Sequence, residues 1–217
     1  ILSRTHFRSF HCSEQILIRL INQCHSYQIR LNSILTVITA NAYYLACNYY
    51  DEKRLKIHMM VNIRPQLQLD FDQTGMFATV FDCLININQQ TNSSLWSSAI
   101  KQHHDLHQRI NNKEYIINCK NDTDLLKMIN NNEYFSCDNV AFAFSNLGAL
   151  SNTNDNQIEE HYFGVSLIEN RWTSFILVGI STINNHICFN ITYNKNNIDE
   201  DFIKKWIEKI YSLLEQI

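Results

Sequence analysis

The chain has 217 residues, 45% hydrophobic and 18% charged, enough apolar material for one substantial core. Its formal net charge is -3 and no lysine or arginine cluster is present, which excludes general attraction to nucleic acid or an anionic membrane surface. No apolar run approaches the ~20 residues that a bilayer span requires.

Seven cysteines, Cys12, Cys24, Cys47, Cys83, Cys119, Cys137 and Cys188, are scattered without a C-x-x-C pair, so neither a disulfide framework nor a zinc site is expected. A reducing, cytoplasmic setting follows. Ile1-Leu2-Ser3-Arg4 lacks the cationic start and long apolar run of a secretory leader. The N-x-S/T triplets at Asn92, Asn121 and Asn190 arise readily by chance in so asparagine-rich a chain, and glycosylation is not expected. The sequence does not open on methionine, so a processed chain or a piece of a longer protein is expected.

In chain order, alternation over residues 4–12 predicts a strand, and Ser13 is then expected to cap a helix with Ile16, Leu17, Leu20, Ile21 and Cys24 on one face. Residues 34–50 predict a second helix, with Ile34, Val37, Ile38, Leu45 and Tyr49 at three- and four-residue steps and small alanines between them. A charged turn leads to a strand over 55–63, closed by Arg64-Pro65 because proline cannot donate a ladder hydrogen bond. A polar stretch turning at Gly75 precedes a strand over 76–87.

From Ser93, read as the cap, a helix carries Leu95, Trp96, Ala99, Ile100, Leu106 and Ile110 on one side, and a short helical piece is predicted at 124–129. The apolar strand 140–144 runs directly into Ser145-Asn146-Leu147-Gly148. Strands are predicted over 162–168, 172–183 and 186–193, the last two joined by Asn184-Asn185, residues that tolerate positive φ. The final helix starts at Asp199 with a 3.6-residue apolar stripe. The pattern predicts an α/β or α+β layer built on a mixed sheet flanked by helices.

Four glycines cannot build a G-x-S-x-G elbow or a glycine-rich phosphate loop. His103 and His107 are four apart on one helix face, a spacing that can bind a metal, but no further ligands stand at matching spacing. Hydrogen-bonded, half-buried histidines are expected there and no metal. Asp70 and Asp72 are read as solvated loop carboxylates. Arg64 and Ser145-Asn146-Leu147-Gly148 remain as candidates, against the plainer readings of a surface ion pair and an ordinary turn.

Taken together, QILIRLINQCHSYQIRLNSILTVITANAYYLA (15–46), LKIHMMVNIRPQL (55–67), LWSSAIKQHHDLHQRI (95–110) and VAFAFSNLG (140–148) resemble the C-terminal half of the condensation-type, CoA-dependent acyltransferase superfamily. The alcohol acetyltransferase and PapA-type branch is the most similar. Its ordered features are a leucine-rich helix, a helix with small residues, a strand ending in V-D-L-R-P, a helix with an early tryptophan, and a strand ending in S-N-x-G. Two departures stand out: Asn62 where aspartate is usual, and Arg30 where threonine is common.

The resemblance implies one lobe of a two-lobed fold related to chloramphenicol acetyltransferase, covering 1–217, with the N-terminal catalytic lobe absent from this chain. It implies acyl transfer from a CoA or carrier thioester to a small alcohol or amine in a tunnel between the lobes, with acyl-CoA as donor substrate and no permanently bound cofactor. The general base would be the histidine of an H-x-x-x-D motif in the other lobe, and Arg64 would hold that motif's aspartate. Asn62 would support Arg64, and Ser145, Asn146 and Gly148 would line the tunnel. None of the nine histidines here is followed four positions later by aspartate, so no catalytic residue is assigned and the isolated chain is expected to be inactive. The alternative is a non-catalytic, acyltransferase-like interaction domain.

Overall fold

A computed structural model describes residues 5–47, 53–68, 77–87, 92–118, 140–150, 158, 160–164 and 176–217. The elements are β1 (Thr5–Cys12), α1 (Glu14–Ser26), α2 (Leu31–Ala46), β2 (Lys53–Asn62), α3 (Arg64–Leu67), β3 (Ala78–Ile87), α4 (Asn92–Asn111), β4 (Val140–Ala149), β5 (Ile176–Ile183), β6 (His186–Asn194) and α5 (Glu200–Glu215). Six strands form one sheet in the order β1-β6-β5-β4-β2-β3. β4 runs parallel to both β2 and β5, and the other pairs are antiparallel, so the expected mixed sheet is found. The expected helical piece at 124–129, together with Asp70, Asp72 and Gly75, lies outside the described residues.

Strand alternation sorts the sheet into two unlike faces. Ile57, Phe142, Phe144, Val178, Ile180, Phe189 and Ile191 join one apolar core with residues of α1, α2, α4 and α5. Helix α2 is buried on nearly every side, because α4 and α5 pack against it as well as the sheet. Its buried polar side chains turn back on their own helix: Thr36 donates to Asn32 O (2.7 Å), Thr39 to Leu35 O (2.7 Å) and Asn41 to Val37 O (2.8 Å). Each is thereby satisfied without an external partner.

The apolar stripe of α5 buries Ile203, Trp206, Ile210, Leu213 and Leu214, and Asp199 caps it by accepting the Asp201 N–H at 3.0 Å. The β5–β6 hairpin turns at Asn184 and Asn185 with φ of 47 and 62, the left-handed pair that matches strand twist. β1 lies at the far edge of the sheet, with Thr5 opposite Asn194.

The second face carries small and polar residues: Ser9, Asn190, Thr192, Gly179, Ser181 and Ser145 alternate with the core positions above. Residues 161–164 cross this face over β5 and β6 and are not a strand, so the strand read over 162–168 is not found at 162–164, and 165–168 lie outside the described residues. The reason is close contact. A Cβ at Gly179 would lie 2.7 Å from Phe163 O, and one at Gly164 would lie 2.5 Å from Thr192 Oγ1. The two glycines let the segment lie flat on the sheet, where Ser181 Oγ donates to His161 O (2.6 Å) and Asn190 Nδ2 to Phe163 O (2.9 Å). Asn190 is only 4% exposed, so its triplet is no glycan acceptor as folded.

Candidate active-site edge of the sheet

β2 ends at Asn62, one residue short of the expected end at Ile63. The cause is local. Asn62 Oδ1 accepts the Arg64 N–H at 3.0 Å, and the chain turns into α3 with proline in its first turn, where a missing N–H is harmless. Ile63 N–H still donates to Phe77 O (2.8 Å), tying the turn to the strand beside it. Arg64 therefore leaves the sheet, with its guanidinium carbon 4.6 Å from the centre of the Phe77 ring. The asparagine at position 62 organises the backbone that presents the arginine.

The second candidate motif ends β4. Ser145 and Asn146 are half-buried, Leu147 is exposed, and Gly148 has φ of 78. Asn146 Oδ1 accepts the Gly148 N–H at 2.8 Å, closing an asparagine turn, and the β4–β5 register shifts between Asn146 and Ala149. The pairing of β2 with β4 sets Met60 opposite Ser145. Because those strands are parallel, Asn62, Arg64, Ser145, Asn146 and Gly148 all gather at one end of the sheet. A Cβ at Gly148 meets nothing within 4 Å, so substitution costs only backbone strain. Gly148→Ala is expected to destabilise by about 1 kcal/mol, read as a lower urea midpoint at unchanged slope.

Two groups near this end were not singled out from sequence. On the second face Asp82 stands opposite His58 and bridges His58 Nε2 (3.1 Å) and Lys56 Nζ (2.7 Å). Burial lowers the His58 pKa, Asp82 opposes that shift and Lys56 adds to it, which favours a neutral imidazole. The signal lay in two alternating strands, but pairing them required the register. His161 Nδ1 lies 3.2 Å from Ser181 Oγ, and Glu160 contacts His11 Nδ1 (2.8 Å) and accepts from Tyr162 OH (2.8 Å).

On α4, His103 and His107 are half-buried as expected and His104 is exposed, but of the pair only His103 has a hydrogen-bond contact among the described residues. His103 Nδ1 is 3.3 Å from Ser33 Oγ on α2, and its ring lies 4.4 Å from that of His107. Burial, with His107, His104 and Arg30 adding to it, pushes the His103 pKa down to about 4 from 6.5, and His107 is lowered too. The folded chain then binds fewer protons than the unfolded chain between those values. Stability is expected to fall as pH drops through 6.5 toward 4. Urea midpoints across that range should show this decline, and His103→Gln should flatten it.

Among the described residues no group of three His, Cys, Asp or Glu is placed to hold a metal ion, and no helix is long and apolar enough to cross a membrane. No protein-family model and no curated protein sequence matches the chain. Solved structures do. TRI3 trichothecene 15-O-acetyltransferase from Fusarium sporotrichioides superposes with a TM-score of 0.76 at 12% identity, over 99% of this chain and 47% of that one. The fold is that of a condensation-type acyltransferase lobe.

Polyketide synthase associated protein 5 from Mycobacterium tuberculosis gives 0.61 at 12% identity, over 99% of this chain and 51% of that one. The condensation domain of the enacyloxin polyketide synthase gives 0.65 at 10% identity, over 99% and 41%. This chain thus spans about half the length of these acyltransferase-fold structures. Its six-stranded mixed sheet, flanked by helices on one face, is the lobe architecture expected from sequence.

Proposed function

We propose that the chain is the C-terminal lobe of an acyltransferase that moves an acyl group from a CoA or carrier-protein thioester to an alcohol or amine. The observation carrying this reading is the gathering of Arg64 and Ser145-Asn146-Leu147-Gly148 at one end of parallel β2 and β4. In this reading a second lobe of the same protein packs against that end and supplies the H-x-x-x-D histidine, which takes the acceptor's proton as the acceptor attacks the thioester carbonyl. The oxyanion that forms collapses with loss of the thiolate.

Arg64 then offers a two-pronged donor to the motif's aspartate, holding the lobes in register. Phe77 beneath the guanidinium and Asn62 at the Arg64 N–H orient the arginine before the lobes meet. Ser145 and Asn146 stand on the tunnel wall, where the Asn146 carboxamide is already engaged with Gly148 and Ser145 Oγ is the group available to donors or acceptors of a substrate.

Thioester-coupled transfer to short-chain alcohols and amines by the complete protein, with none by the 217-residue chain alone, is the expected pattern. Transfer by the isolated chain at the complete protein's rate overturns this division of labour. A protein with no H-x-x-x-D segment in any further lobe, and no transfer, supports instead a non-catalytic interaction domain. The absence of that spacing at all nine histidines favours that second reading only if the chain acts alone.

A further inference from the structure

At the edge of the sheet opposite β1, strand β3 pairs with β2 alone among the described residues, and α4 runs alongside its open edge. Between them lies a cleft of about 490 Å³. It is lined by five consecutive β3 residues, 82–86, and by α4 residues at helical spacing that include Ser97, Lys101 and Gln102. One wall is therefore backbone and the other is a polar helix face.

The direction of the β3 backbone follows from two bonds. Phe77 O accepts from Ile63 N–H toward β2, whereas Asp82 O accepts from Arg109 Nη1 of α4. Since successive residues alternate, Asp82, Leu84 and Asn86 turn their N–H and C=O groups outward. Arg109 occupies the Asp82 carbonyl, and among the described residues nothing is bonded to the outward groups of Leu84 and Asn86. The Leu84 side chain, on the second face, is 62% exposed.

Charge defines what fits. Arg54 lines the cleft and stands opposite Asn86, and Lys101 approaches from α4. Neither forms an ion pair among the described residues, whereas Asp82 at the other end is already bridged by Lys56 and His58. Asp105, also in the lining, lies toward the Arg109 end. Gln102, 7% exposed, keeps a buried Oε1 without a partner there, an unsatisfied acceptor beside the cleft.

We propose that the β3–α4 cleft is a strand-addition site for an extended, acidic polypeptide segment. The segment would pair with Leu84 and Asn86 as a seventh strand and set an acidic side chain between Arg54 and Lys101. Arg109 caps the Asp82 carbonyl and so stops the added strand. This site stands on the far edge from β1 and does not depend on the acyl-transfer reading.

The test uses the complete protein and an acetylated hexapeptide of alternating threonine and glutamate, with its threonine–lysine counterpart as control. The acidic peptide is expected to slow amide exchange at Leu84 and Asn86 by about tenfold or more. Arg54→Glu combined with Lys101→Glu is expected to weaken it about tenfold and to reverse the preference for the two peptides. Leu84→Pro removes an outward N–H without touching the β2 ladder, and should abolish binding while the fold persists.

If that variant fails to fold, the charge reversal decides alone. Equal binding of both peptides overturns the proposal. So does slow exchange at Leu84 and Asn86 in the peptide-free protein, which means the edge is already occupied. Concentration-dependent protection without peptide assigns the edge to a second copy of the chain, and equally overturns it.

Discussion

Arg64→Ala in the complete two-lobed protein is expected to lower acyl transfer about 100-fold and to weaken folding at the same time. If Arg64 holds a carboxylate at the lobe junction, its removal leaves that carboxylate desolvated and unpaired, a loss of about 3–5 kcal/mol when the pair is buried. Part of this appears as a displaced histidine and hence a lower kcat, and part as a lower urea midpoint. Arg64→Lys keeps a charge but loses the planar fork and the guanidinium contact over Phe77, so it should fall between wild type and alanine. Steady-state rates and urea unfolding on the same three proteins separate the two effects. An unchanged rate in Arg64→Ala removes the residue from the mechanism.

Trp206→Ala is expected to cost about 3–5 kcal/mol of stability. The indole is fully buried at the junction of α2, α5 and the sheet, and its Nε1 donates to Thr39 O at 3.0 Å. The rings of Tyr43 and Phe142 lie 5.1 Å from it, so truncation removes both a hydrogen bond and the centre of an aromatic cluster. Thr39 O would retain its helical bond but lose its second donor. For a domain stable by about 5–15 kcal/mol, this is a large share. Trp206→Phe, which keeps most of the area but not the donor, should recover more than half of the loss. Equilibrium urea unfolding measures both, and a loss below about 1 kcal/mol for alanine would mean that the cluster repacks freely.

The helices were legible where periodicity was strong. The stripe of α5 and the asparagine pair of the β5–β6 turn carried their structure in the residues themselves. The flat crossing of residues 161–164 was not legible, because it depends on Gly164 meeting Thr192 and Gly179 meeting Phe163 across the sheet. The end of β2 was legible to within one residue, whereas the turn in which Asn62 Oδ1 accepts the Arg64 N–H was not. Both candidate motifs could be named from sequence, but their meeting could not, since it rests on β2 and β4 pairing in parallel across the 77 intervening sequence positions between Asn62 and Val140. The His58–Asp82 pair needed the β2–β3 register in the same way.

The pairing of Thr5 with Asn194 has a consequence for synthesis. Of the six strands β1 is made before the other five, yet among the described residues it pairs with β6 alone, so it waits for the rest of the sheet to be synthesised before finding its partner. The β2–β3 ladder can close earlier, over a shorter loop, while β1 carries unpaired backbone groups. Nascent chains stalled before β6 should be the ones that chaperones hold and proteases trim, and completion of β6 is what brings β1 into the sheet.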